Sequence, residues 1–155
     1  MRVQDLMIHP AVTCHVNDPA AVAAHLMWDH DCGIIAVVRD DGELAGVITD
    51  RDSCMAAFTQ GRPLEEILVN SAMATHVITA VPDLKVADAE RLMAEHRIRR
   101  LPVVDEDGKP VGVISMNDLT IECVRPDTRM KHGPSQIAHT LAAICAHRTA
   151  HDAAA

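Results

Sequence analysis

The chain repeats itself. Aligning residues 7–52 with residues 73–118, an offset of 66, gives fifteen identities in 46 positions without a gap. The identities include apolar pairs (Leu26/Leu92, Met27/Met93, Val37/Val103, Val38/Val104, Ile48/Ile114), turn pairs (Asp41/Asp107, Gly42/Gly108), Gly46/Gly112 and Asp52/Asp118. Glycines, turn acids and apolar positions that keep one frame over this length require two copies of one supersecondary unit. The full length of 155 residues suits one compact body built from such a pair.

Both copies give the same order of elements. A short extended piece (12–14; 78–80) precedes a helix, whose start is signalled by Asn17-Asp18-Pro19 in the first copy and by Asp83 in the second. Helical spacing of Ala20, Ala23, Met27 and His30, and of Val86, Ala89, Met93 and His96, predicts one buried face per helix. An apolar strand (34–38; 101–104), an Asp-Gly turn and a second strand (44–48; 111–114) form a hairpin. A second helix (50–59; 116–124) follows at once. The expected fold class is α+β: two tandem β-α-β-β-α units related by a pseudo-two-fold, plus a C-terminal helix. The expected boundaries are 1–62 for the first unit, 63–125 for a linker helix (64–69) with the second unit, and 126–155 for a tail. In that tail, Ile137, Leu141, Ile144 and Cys145 make one apolar stripe.

Composition removes several classes of function. Fourteen basic against 22 acidic residues give a net charge of −8, and Trp28 and Phe58 are the only aromatic residues. That leaves neither a basic footprint nor a base-stacking platform for nucleic acid. No apolar run approaches the roughly 20 residues that span a bilayer, and no secretory h-region is visible, so a cytoplasmic location is expected. Five cysteines without a C-x-x-C pair suggest neither a zinc ribbon nor a closed disulfide framework. Ten histidines raise a metal reading, with His9, Cys14 and His15 close in sequence and His147 and His151 one turn apart, but the spacing supplies no third or fourth ligand for a tight site. His30 and His96 recur at a helix end, where a dipole partner is the simpler role.

The chemistry concentrates at the strand-to-helix corners, Gly46-Val47-Ile48-Thr49-Asp50-Arg51-Asp52 and Gly112-Val113-Ile114-Ser115-Met116-Asn117-Asp118. A hydroxyl followed three residues later by an acid is a capping box, which stabilises a helix by about 1 kcal/mol. The same corner offers ligand chemistry. A carboxylate accepts both hydrogens of a vicinal diol, the free amides of a helix start favour phosphate, and the preceding glycine lets a flat base approach the backbone. Diol plus phosphate describes a ribonucleotide.

The duplicated unit, with Gly-apolar-apolar-Thr/Ser-x-x-Asp after an Asp-Gly hairpin, resembles the tandem CBS-domain pair, also called a Bateman module, over residues 6–124. The resemblance implies a non-catalytic regulatory module, a homodimer in the family's manner, that needs no cofactor and binds AMP, ADP, ATP or another adenosine derivative between its copies. It assigns ribose and phosphate contacts to Thr49, Asp52, Ser115 and Asp118, with Asn117 at the same corner. Arg99 and Arg100 stand where the family often carries a phosphate-reaching base; their first-copy equivalents are Gly33 and Ile34, so the two clefts are unequal. An anion is expected only where Arg51, Arg99 or Arg100 reaches it. The ends of the chain are similar to stand-alone pairs of the mycobacterial hypoxic-response type, which implies a whole small protein and a disulfide between Cys14 and Cys145, with two free thiols as the alternative. A second function stays open: a stress-linked interaction protein whose thiols or histidines respond to redox state or metal.

Overall fold

The computed structural model describes residues 1–125 and 134–145. The first unit contains β1 (Thr13–His15), α1 (Ala20–Asp29), β2 (Ile34–Val38), β3 (Leu44–Thr49) and α2 (Asp50–Gln60). A 3-10 turn (Leu64–Glu66) and the one-turn α3 (Val69–Ala72) link it to α4 (Val86–His96), β4 (Arg100–Val104), β5 (Pro110–Ser115) and α5 (Met116–Cys123); α6 (Pro134–Cys145) follows. β1 runs parallel to β2, and β2 pairs antiparallel with β3. The β4–β5 hairpin repeats the β2–β3 register, irregularity included, because both turns place glycine at positive φ, +83° at Gly42 and +75° at Gly108.

Several expectations are corrected locally. Residues 78–80 form no strand, only a parallel bridge between Ala80 and Val103. α4 starts at Val86 with Lys85 as its cap, three residues beyond Asp83, and the linker is a 3-10 turn plus α3 rather than one helix over 64–69. The buried helix faces end a turn early: Met27 and Met93 are buried, while His30 and His96 are exposed.

Each unit is completed by a segment outside its sequence limits. Val3, Met1, Leu6 and Met7 pack into the second unit's core with Leu101, Ile114 and Leu119; Val69, Leu64, Ile67 and Met73 pack into the first unit's core with Ile35, Val37 and Ile48. The exchange obeys the repeat, since Val3 N donates to Leu84 O at 2.8 Å and Val69 N donates to Asp18 O at 2.9 Å. Spatially, therefore, the units cross the boundary drawn at residue 62. The tail helix α6 docks on α4 and α5, burying Ile137 against the second core with Leu141 and Ile144 beside it.

That docking separates the two cysteines of the implied disulfide. Cys14 is buried in the first unit's core and Cys145 is exposed at the end of α6 on the second; both thiols are free. Burial, with Asp18 nearby, pushes the Cys14 thiol up to about 11. Because its proton is held more tightly in the folded state, its contribution to stability is complete below about pH 9 and is lost as pH rises through 11. Maleimide labelling at pH 7.5 is expected to mark exposed Cys54 and Cys145 within minutes and Cys14 only after unfolding. Rapid native labelling of Cys14 would contradict its placement.

Candidate functional site

Both corners are built as the sequence predicts. Thr49 caps α2: its Oγ1 accepts from Asp52 N at 3.2 Å, while Asp52 Oδ2 accepts from Thr49 N at 2.9 Å and from Thr49 Oγ1 at 2.7 Å. Ser115 and Asp118 repeat the pattern on α5 at 3.4, 2.8 and 2.6 Å. The capping reading thus holds in full. It occupies only one oxygen of each aspartate, leaving Oδ1 without a partner among the described residues.

Among the described residues, two of the cavities between the units sit at the corners, one at each. The first, about 280 Å³, is lined by Ser115, Asn117, Asp118, Val113 and Ile121 of the second unit, by Val12, Asp31, Cys32, Gly33 and Ile34 of the first, and by Ile8, Pro10, Ala11 and Arg100. The second, about 230 Å³, is lined by Thr49, Val47 and Ile34 of the first unit and by Ala74, His76, Val77, Ile78, Ile98, Arg99, Arg100 and Pro102. Ten residues of the smaller cavity lie 66 positions from a residue of the larger one, for example Thr49/Ser115, Val47/Val113, His76/Pro10 and Arg99/Gly33. The clefts are therefore a pseudo-symmetric pair with apolar walls and one polar end, the usual make-up of a small-molecule site.

Their charges differ. The Ser115 cleft holds two carboxylates, Asp31 and Asp118, against Arg100. The Thr49 cleft holds Arg99, Arg100 and His76 and no lining carboxylate. Of the sequence-predicted residues, Thr49, Arg99, Arg100, Ser115, Asn117 and Asp118 line a cleft. Arg51 and Asp52 line neither: Arg51 is exposed on the first turn of α2, and Asp52 sits in a cap identical to that of its twin Asp118, which does line a cleft. Sequence reasoning missed Asp31, Cys32 and His76. The available signal was position, since Cys32 directly precedes Gly33 and Ile34, the counterparts of the two flagged arginines.

The corner glycines have another role than the one expected. A Cβ on Gly46 would stand 2.6 Å from Ala74 O, and one on Gly112 would stand 2.8 Å from Ile8 O. The close approach they permit is that of the chain's own crossing segments, which pair as bridges Val47–Ala74 and Ile8–Val113. A ligand's base does not fill that space.

Among the described residues, no three His, Cys, Asp or Glu side chains converge as a metal site. His139 is exposed on α6; His132, His147 and His151 lie outside the described residues.

A duplicated unit with paired clefts at its capped corners is the class of a tandem two-domain module. The CBS domain family model matches residues 3–52 and 65–125, and the chain belongs to that family. CBS domain-containing protein YhcV of Bacillus subtilis is 38% identical over 119 residues, 77% of this chain and 83% of that protein. Protein MK0525 of Methanopyrus kandleri is 34% identical over 108 residues, 70% of this chain; the chain spans 55% of that relative's length. Among solved structures, the CBS domain pair of protein MJ0100, in complex with 5′-methylthioadenosine and S-adenosyl-L-methionine, superposes with a TM-score of 0.70 at 28% identity, covering 78% of this chain and 94% of that one. Hypoxic Response Protein I, solved with two coordinated zinc ions, superposes at 0.69 with 24% identity over 77% of this chain and 96% of that one, a likeness of fold. No helix among the described residues is long and apolar enough to cross a membrane.

Proposed function

We propose that the chain is a non-catalytic sensor of adenosine-type ligands, with the phosphate of AMP, ADP or ATP bound in the Thr49 cleft. The observation that carries this is the charge difference between two otherwise equivalent clefts. Arg99, Arg100 and His76 line an anion site that has no carboxylate among its lining residues, although Asp50 and Asp52 stand in the first turn of α2. In the Ser115 cleft, the free Oδ1 of Asp118 is available to a ribose diol, and the excess of carboxylates favours a neutral or cationic derivative such as 5′-methylthioadenosine or S-adenosylmethionine. The adenosine ligands bound by the MJ0100 pair support the ligand class.

A homodimer fits the surface. Exposed apolar residues recur at the repeat spacing on α2 and on α5 with its C-cap, Met55 with Ile121 and Phe58 with Val124, and Trp28 on α1 is 86% exposed. Matching apolar faces on both units are what two-faced pairing of two chains would bury. The redox reading has less support, because the buried Cys14 thiol stays protonated at neutral pH.

Calorimetric titration with ADP and with 5′-methylthioadenosine tests the assignment. Asp118→Ala is expected to weaken 5′-methylthioadenosine at least tenfold by removing the diol acceptor, and to lower stability by about 1 kcal/mol through the lost cap. Unchanged affinity in that variant would remove the ribose role of Asp118.

A further inference from the structure

One guanidinium serves both clefts. Arg100 opens β4, is half-buried, and lines the Ser115 and Thr49 cavities alike, as does its repeat counterpart Ile34. The pair therefore sits where the pseudo-two-fold passes between the units, with a cation on one side of it and an alkyl group on the other. Arg100 Nη2 lies 2.8 Å from where a Cβ on Gly33 would stand, so the missing side chain at 33 is what admits the guanidinium to the Ser115 side. Asp50 Oδ2 is 3.4 Å from that same point, yet among the described residues no hydrogen bond or ion pair fixes the Arg100 side chain. Nothing among the described residues ties it to one cavity rather than the other.

We propose that Arg100 couples the two clefts, so that a phosphate-bearing ligand in the Thr49 cleft draws the guanidinium away and converts the Ser115 cleft into a cation-preferring site. This rests on the reading of the clefts as adenosine sites. The Thr49 cleft wins the contest for the side chain because Arg99 and His76 already hold the anion there. With Arg100 gone, Asp31 and Asp118 face the Ser115 cavity unopposed, which disfavours a second anion and favours a sulfonium. Linkage makes the effect reciprocal: a cationic ligand in the Ser115 cleft strengthens anion binding in the other by the same factor.

Calorimetric titration of S-adenosylmethionine into wild-type protein, without and with saturating ADP, tests the coupling. ADP is expected to tighten S-adenosylmethionine by about fivefold or more. In Arg100→Gln the enhancement disappears. In Gly33→Ala, whose methyl displaces the guanidinium from the Ser115 side, S-adenosylmethionine binds tightly without ADP, and ADP adds nothing. Thermal unfolding of both variants verifies that they fold. Wild-type affinity for S-adenosylmethionine that is unchanged or weakened by ADP overturns the proposal, as does an enhancement that survives Arg100→Gln. Binding of both ligands without coupling sinks this inference alone; failure of either cleft to bind any adenosine compound sinks the functional reading and the coupling with it.

Discussion

Gly112→Val is expected to unfold most of the molecule at temperatures where the parent is stable, a loss of about 3 kcal/mol or more measured by urea titration. Its first side-chain atom would stand 2.8 Å from Ile8 O and 2.8 Å from Met7 Sδ. The thioether can turn aside, but the carbonyl belongs to a backbone segment hydrogen-bonded to Val113 in both directions, at 2.9 and 3.0 Å. Relief therefore means lifting residues 7–8 off β5, and with them Val3, which is fully buried in the second core. Gly46→Val is expected to behave alike at Ala74 O, 2.6 Å away. Gly61→Val is a less severe control, because its substituent would meet no atom within 4 Å and suffers only the left-handed φ of 61°. If the Gly112 variant unfolded at the parent's urea midpoint, the crossing of the N-terminal segment onto the second unit would be wrong.

The second large effect falls on binding. Replacing Arg99 and Arg100 together by glutamine is expected to weaken ADP by about 100-fold or more, since each charge-assisted contact to phosphate contributes roughly 1.5–3 kcal/mol and two are removed. Affinity for uncharged 5′-methylthioadenosine should change far less, and the fall of ADP affinity with added salt should flatten, because the variant has two fewer cations to screen. Equal losses for both ligands would mean that the arginines support the shape of the site rather than its anion preference.

What could be read from the sequence was whatever is local and doubled. The Asp-Gly hairpins, the helices that follow them and the Thr49/Asp52 and Ser115/Asp118 caps depend on contacts within a few residues, and the 66-residue frame checks each against its twin. The inequality of the clefts was also legible, from Arg99 and Arg100 standing opposite Gly33 and Ile34. The exchange of terminal and linker segments was hidden because it depends on pairings such as Ile8 with Val113, over a hundred positions apart. For the same reason the purpose of Gly46 and Gly112 was misjudged: the atoms that forbid a side chain there come from the crossing segments. The stripe Ile137, Leu141, Ile144 announced a docking helix but not its target. Only its seat on α4 and α5 reveals that Cys145 ends far from the core that holds Cys14. Arg51 and Asp52 do not line either cavity: the first is exposed on the opening turn of α2, and the second sits in its cap with Thr49.

The most direct trial of the whole account is a crystal structure of the protein grown with ADP. The account predicts the nucleotide in the cavity bounded by Thr49 and Ile78, its phosphates against Arg99 and Arg100 and its base between the apolar walls. Phosphates bound at the Ser115 corner instead, or both cavities empty at saturating ADP, would contradict it.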